Sequence, residues 1–216
     1  MRIAAVVFDM DGVLIDAREW HYEALNRALA LVGFEISRYE HLTSFDGLST
    51  RQKLEMLSVE RGLPRGLHSF LNSLKQRYTG ELIETSCRPV FQHQYCLAKL
   101  HERGLRLAVA SNAVRRSVDL MMERSDLARF LELTVSNEDV DRPKPAPDIY
   151  LETFRRLNLP ASSVLVVEDN AHGIEAAQAA GAAVMAVANP LDVTLDRVAG
   201  SVARIEEARR VEEGVV

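Results

Sequence analysis

Five short apolar runs recur along the chain: Ile3–Phe8, Leu105–Ala110, Leu131–Val135, Val164–Val167 and Ala183–Val187. Each is of strand length, and their nearly continuous apolar character is that of strands covered on both faces. Around the later runs lie stretches with apolar residues at helical spacing, Phe91–Arg103, Val114–Phe130, Asp148–Leu157 and Ala171–Ala180. Strands that alternate with helices of this length predict βαβ units and a parallel sheet.

The rhythm breaks between Phe8 and Leu105, where no convincing apolar strand occurs. Residues 17–32, 50–61 and 67–84 read instead as amphipathic helices, punctuated by Gly33, Gly47, Gly62, Pro64 and Gly66. The expected organisation is an α/β core of residues 1–16 and 87–216, interrupted by a helical domain of residues 17–86. The mixed charges of Arg204–Glu213 read as a solvated helix.

Composition narrows the function. With 216 residues, 47% apolar and 26% charged, the chain can bury a core and is neither disordered nor fibrous. The apolar stretch Ala182–Ala188 is far too short to cross a bilayer, and Met1-Arg2-Ile3 leads directly into a strand, so no membrane partner and a cytoplasmic location are expected. Lys and Arg number 26 against 31 Asp and Glu, a net charge of −5, which offers no basic field for nucleic acid. Cys87 and Cys96 lack metal or redox spacing and read as reduced thiols.

Ligands of open parallel sheets bind beyond the carboxyl ends of the strands. Asp9 and Asp11 follow the first run, Ser111 and Asn112 the second, Lys144 lies after the third, and Glu168 and Asp169 end the fourth. Carboxylates gathered in one place repel one another unless protonated or joined by a cation. All-oxygen ligation from Asp9, Asp169 and Glu168 suits Mg²⁺ rather than zinc. A lysine and a serine hydroxyl facing such an ion make a receptor for an anion with several oxygens, which points to phosphate.

The segment Val6-Val7-Phe8-Asp9-Met10-Asp11-Gly12-Val13-Leu14 resembles the first signature of the haloacid dehalogenase superfamily, an apolar strand followed by DxDGxL. Its other signatures follow in order: Val109-Ala110-Ser111-Asn112, then Arg142-Pro143-Lys144-Pro145, then Val167-Glu168-Asp169-Asn170 before the helix that contains Gly173. The resemblance implies a Rossmann-like, doubly wound parallel sheet with a small all-α cap inserted after the first strand, as in the β-phosphoglucomutase-like branch.

The same resemblance implies that Asp9 is a nucleophile that becomes phosphorylated and that Asp11 is the general acid and base. It implies Ser111 and Lys144 as stabilisers of the phosphoryl group, and Mg²⁺ held by Asp9, the Asp11 carbonyl, Glu168 and Asp169. Substrate contacts are expected at His21, Gly47 and Arg51 in the cap and at Asn112 and Arg115 in the core, with Lys75 and Arg77 as further cations. Asp11 favours C–O–P chemistry over dehalogenation and phosphonate cleavage.

Ala17 stands where the mutases carry threonine, Lys75 falls one position late, and Thr50 intervenes before Arg51. These departures favour a phosphatase of a small phosphomonoester, expected to be a sugar phosphate, over a hexose phosphate mutase. A phospho-accepting regulatory module is a third alternative, disfavoured by the inserted domain and the second aspartate. The expected partner is a phosphorylated small molecule, and the chain is expected to be a monomer or weak homodimer.

Overall fold

The computed structural model describes residues 2–45, 48–212 and 214. It divides into two compact units, residues 1–16 with 88–216, and residues 17–87.

The first unit is built on five strands, β1 (Ala5–Phe8), β2 (Arg106–Ala110), β3 (Leu133–Val135), β4 (Val164–Glu168) and β5 (Ala183–Ala186). They pair in parallel in the order β3-β2-β1-β4-β5. The chain therefore works outward from β1 on one side, returns, and works outward on the other, which makes the end of β1 a topological switch point. Among the described residues, five α-helices flank the sheet: α5 (Phe91–Glu102), α6 (Arg115–Arg124), α7 (Asp148–Leu157), α8 (Ala171–Ala179) and α9 (Leu195–Glu212).

Burial explains why the strands carry no polar face. Ala5, Val7, Ala108, Ala110, Val164 and Val166 pack with Ile149, Phe154 and Leu157 of α7 and Ala176 and Ala177 of α8. Their alternates Val6, Phe8, Leu107, Val109, Leu165 and Val167 are equally buried on the opposite face, where α5 packs against β2 and α9 against β5.

The second unit holds α1 (Arg18–Ala30), a single turn α2 (Arg38–Glu40), a π-helical turn His41–Phe45, α3 (Thr50–Arg61) and α4 (His68–Ser86). Helices α1 and α4 pack together over a core of Leu25, Ala28, Leu29, Ile36, Phe45, Leu54, Leu57, Leu63 and Leu71. The helix starts are legible in the chain: Ser49 and Gln52 form a reciprocal capping box at α3, and Ser37 with Glu40 does the same at α2. Among the described residues no helix is long and apolar enough to cross a membrane.

Candidate active site

Strand register assembles the site. Phe8 pairs with Val109 on one side and Val167 on the other, so the next residues, Asp9, Ala110 and Glu168, stand level at the end of the sheet. The Asp9 N–H continues the ladder to the Val167 carbonyl (2.9 Å), and the Ser111 N–H does so to the Val135 carbonyl (2.9 Å). Lys144 closes this row. Its Nζ donates to Asp9 Oδ1 (2.6 Å), Glu168 Oε1 (2.7 Å) and the Ala110 carbonyl (2.9 Å), using all three ammonium donors on the three level residues.

These groups are almost wholly out of water: Asp9 is 5% exposed, Lys144 7% and Glu168 0%. Burial pushes the Asp9 carboxyl well above its ordinary value, with Glu168 and Asp11 adding to the rise against the opposing pull of Lys144. Burial alone would discharge Lys144, but Asp9 and Glu168 beside it hold the ammonium well above its usual range.

Beyond Asp9 the chain turns tightly, because the Met10 carbonyl accepts from the N–H groups of Val13, Leu14 and Ile15 while Gly12 N–H donates to the Ile15 carbonyl. Gly12 sits at φ +84°, and a Cβ there would overlap the Asp169 carboxylate. Gly173 meets a like demand from Glu168, whose carboxylate occupies the space that a Cβ would fill. Asn170 caps α8 by accepting from Gly173 N–H (3.0 Å), and its Nδ2 donates to Asp169 Oδ1 (3.1 Å).

Among the described residues, Asp9, Glu168 and Asp169 each offer an oxygen within 4.8 Å of the others. Three carboxylates, two of them buried, with one ammonium among them leave an excess of negative charge, and the donors are all hard oxygen. The set fits a divalent cation of the Mg²⁺ kind. Ser111, one residue past Ala110, is buried, its Oγ accepting from the Ala113 N–H (3.1 Å), and Asp11 is half-buried two residues beyond Asp9.

Two residues expected as substrate contacts also bond the scaffold. Asn112 Oδ1 accepts from the Lys144 backbone N–H (3.0 Å) and its Nδ2 donates to the Lys144 carbonyl (3.3 Å), so its amide clamps the lysine loop. The Arg115 guanidinium donates to the Thr134 carbonyl (3.2 Å) and Oγ1 (2.7 Å) and pairs with Asp139, which commits it to β3 and the turn after it. In both cases a polar side chain near strand ends serves the scaffold, because the loops there leave backbone and carboxylate groups to satisfy.

In the helical unit, His21 on α1 is half-buried, and its Nδ1 lies 3.2 Å from Lys75 Nζ on α4. Lys75 itself is buried, whereas Arg51 and Arg77 are exposed. Gly47 lies outside the described residues. Tyr150 and the buried Lys53 lie within regular helix periodicity, and nothing local in the sequence marks them. Asn170, by contrast, was legible as an N-cap three residues before Gly173.

The sequence model of the family described as haloacid dehalogenase-like hydrolase matches residues 6–187. The chain is a haloacid dehalogenase-like hydrolase. Its sequence is 31% identical over 180 residues to a phosphorylated carbohydrates phosphatase of Thermotoga maritima, covering 82% of this chain and 81% of that one. It is 30% identical to protein CbbY of Rhodobacter capsulatus, covering 84% and 83%. In fold, this hydrolase superposes on CbbY of Rhodobacter sphaeroides in complex with phosphate with a TM-score of 0.77 at 23% identity, over 85% of each chain. It also superposes on β-phosphoglucomutase of Clostridium difficile with a TM-score of 0.79 at 18% identity, over 94% of this chain and 98% of that one.

Proposed function

We propose that this hydrolase is an Mg²⁺-dependent phosphatase of small phosphomonoesters, working through a phosphorylated Asp9. The observation that carries the reading is the buried row in which Lys144 holds Asp9 and Glu168 at the end of β1. The phosphorylated carbohydrates phosphatase of Thermotoga maritima named above supports the substrate class.

A carboxylate oxygen of Asp9 attacks phosphorus and the bond to the leaving oxygen breaks. Asp11 donates its proton to that oxygen, then takes one from the water that attacks the aspartyl phosphate and releases inorganic phosphate. The Ser111 hydroxyl holds a phosphoryl oxygen, and Lys144 spreads positive charge over the nucleophile. Asp9, Glu168, Asp169 and the Asp11 carbonyl would hold the Mg²⁺, whose chemistry is to neutralise the phosphoryl oxygens.

Asp9→Asn is expected to lower p-nitrophenyl phosphate turnover at least about 10³-fold, and stripping with EDTA to stop it reversibly. Undiminished turnover in either case would sink the reading.

A mutase remains the second reading, favoured by one observation. The displaced Lys75 is still buried and reaches His21, so its register does not remove a cation from the helical unit. Phosphorus NMR of a hexose phosphate reaction separates the two, since the phosphatase yields inorganic phosphate and the mutase an isomer.

A further inference from the structure

Glu168 is surrounded by donors on both oxygens. Its Oε2 accepts from the backbone N–H of Asp169 (3.0 Å) and from Asn170 N (3.4 Å) and Nδ2 (3.3 Å). Its Oε1 accepts from Lys144 Nζ and, on the other side, from the Tyr150 hydroxyl at 2.7 Å.

Tyr150 lies in the first turn of α7, is fully buried, and is the one hydroxyl-bearing ring in a core cluster otherwise made of aliphatic residues and Phe154. Its ring stacks on Phe154 at 6.4 Å, and Lys144 Nζ sits 4.8 Å from its centroid. One side chain thus touches both members of an ion pair, the hydroxyl on the anion and the ring face toward the cation. Phenylalanine would pack here equally well, and a buried hydroxyl costs free energy unless it is bonded. The energetic return on this hydroxyl is its bond to Glu168.

We propose that Tyr150 is a positioning residue for the phosphoryl transfer argued above, and the inference rests on that reading: its hydroxyl holds Glu168 Oε1 against Lys144, and Lys144 in turn holds Asp9. Sharing Oε1 between two donors withdraws charge from Glu168. Lys144 is then free to neutralise the nucleophile, and Glu168 binds the cation less strongly than a bare carboxylate would.

Tyr150→Phe, which removes a single oxygen, tests this beside Asp9→Asn. The expected outcome is folding within about 3 °C of wild type, KM within about twofold and kcat lowered about tenfold. Calorimetric titration of the resting protein with Mg²⁺ should show binding about threefold tighter, since a carboxylate with one donor fewer is the stronger ligand. Unchanged kcat, unchanged or weaker metal binding, a rise in KM alone, or failure to fold overturns the role of Tyr150. If Asp9→Asn keeps its turnover, the phosphatase reading falls and Tyr150's role with it. If Asp9→Asn is dead and Tyr150→Phe is wild type, only the role of Tyr150 falls.

Discussion

Asp9, Lys144 and Glu168 come from three separate segments of the chain, yet one ammonium satisfies its three donors on the two carboxylates and the Ala110 carbonyl. That economy leaves little tolerance for shape changes nearby. At Gly12 a methyl group would meet Asp169, and the positive φ adds backbone strain of about 1–3 kcal/mol for any other residue. Gly12→Ala is therefore expected to weaken Mg²⁺ binding and lower kcat by about 10²-fold or more, as read by calorimetry and steady-state kinetics. Wild-type values would show that the turn can move away from Asp169. The same scale explains one thiol: burial pushes Cys96 up to about 12, so it stays a thiol at neutral pH.

At the scale of elements, loops at the carboxyl edge of the sheet are tied down by polar side chains, among them Arg115, which the sequence suggests for substrate. Arg115 at the start of α6 and Arg156 near the end of α7 both pair with Asp139 in the turn after β3. Burial by itself would raise the Asp139 carboxyl, but the Ser136 N–H and hydroxyl and the two guanidinium groups hold it down to about 2. A depressed folded-state pKa contributes stability above the unfolded carboxylate value, and that contribution is lost as pH falls toward 2. Asp139→Asn should thus lower the urea midpoint at pH 7 and converge with wild type near pH 2. An equal gap at both pH values would show that the charge on Asp139 is irrelevant.

At the scale of the molecule, two units with separate cores share one chain. The parallel unit carries the row of charged residues at its switch point, and the helical unit carries the His21 and Lys75 pair on α1 and α4. If the helical unit selects substrate, Lys75→Met should raise KM for sugar phosphates about tenfold while leaving p-nitrophenyl phosphate turnover within about threefold. Equal losses on both substrates would place Lys75 in the chemistry itself.

What the sequence determined by itself was periodic or local. The buried strands, the helical insert, Asp9 at a strand end and the glycine after Asp11 each announce themselves through spacing, since burial on both faces demands unbroken apolar runs and a sharp turn demands glycine. Tertiary structure decided which polar groups meet. The level of Asp9 with Ala110 and Glu168 comes from sheet register, the reach of Lys144 from a loop far away in sequence, and the work of Asn112, Arg115 and Tyr150 from neighbours that no local pattern names. Hydrogen bonds and ion pairs act over a few ångströms of space, so only the packed sheet settles whether a polar side chain serves the scaffold or is left for a ligand.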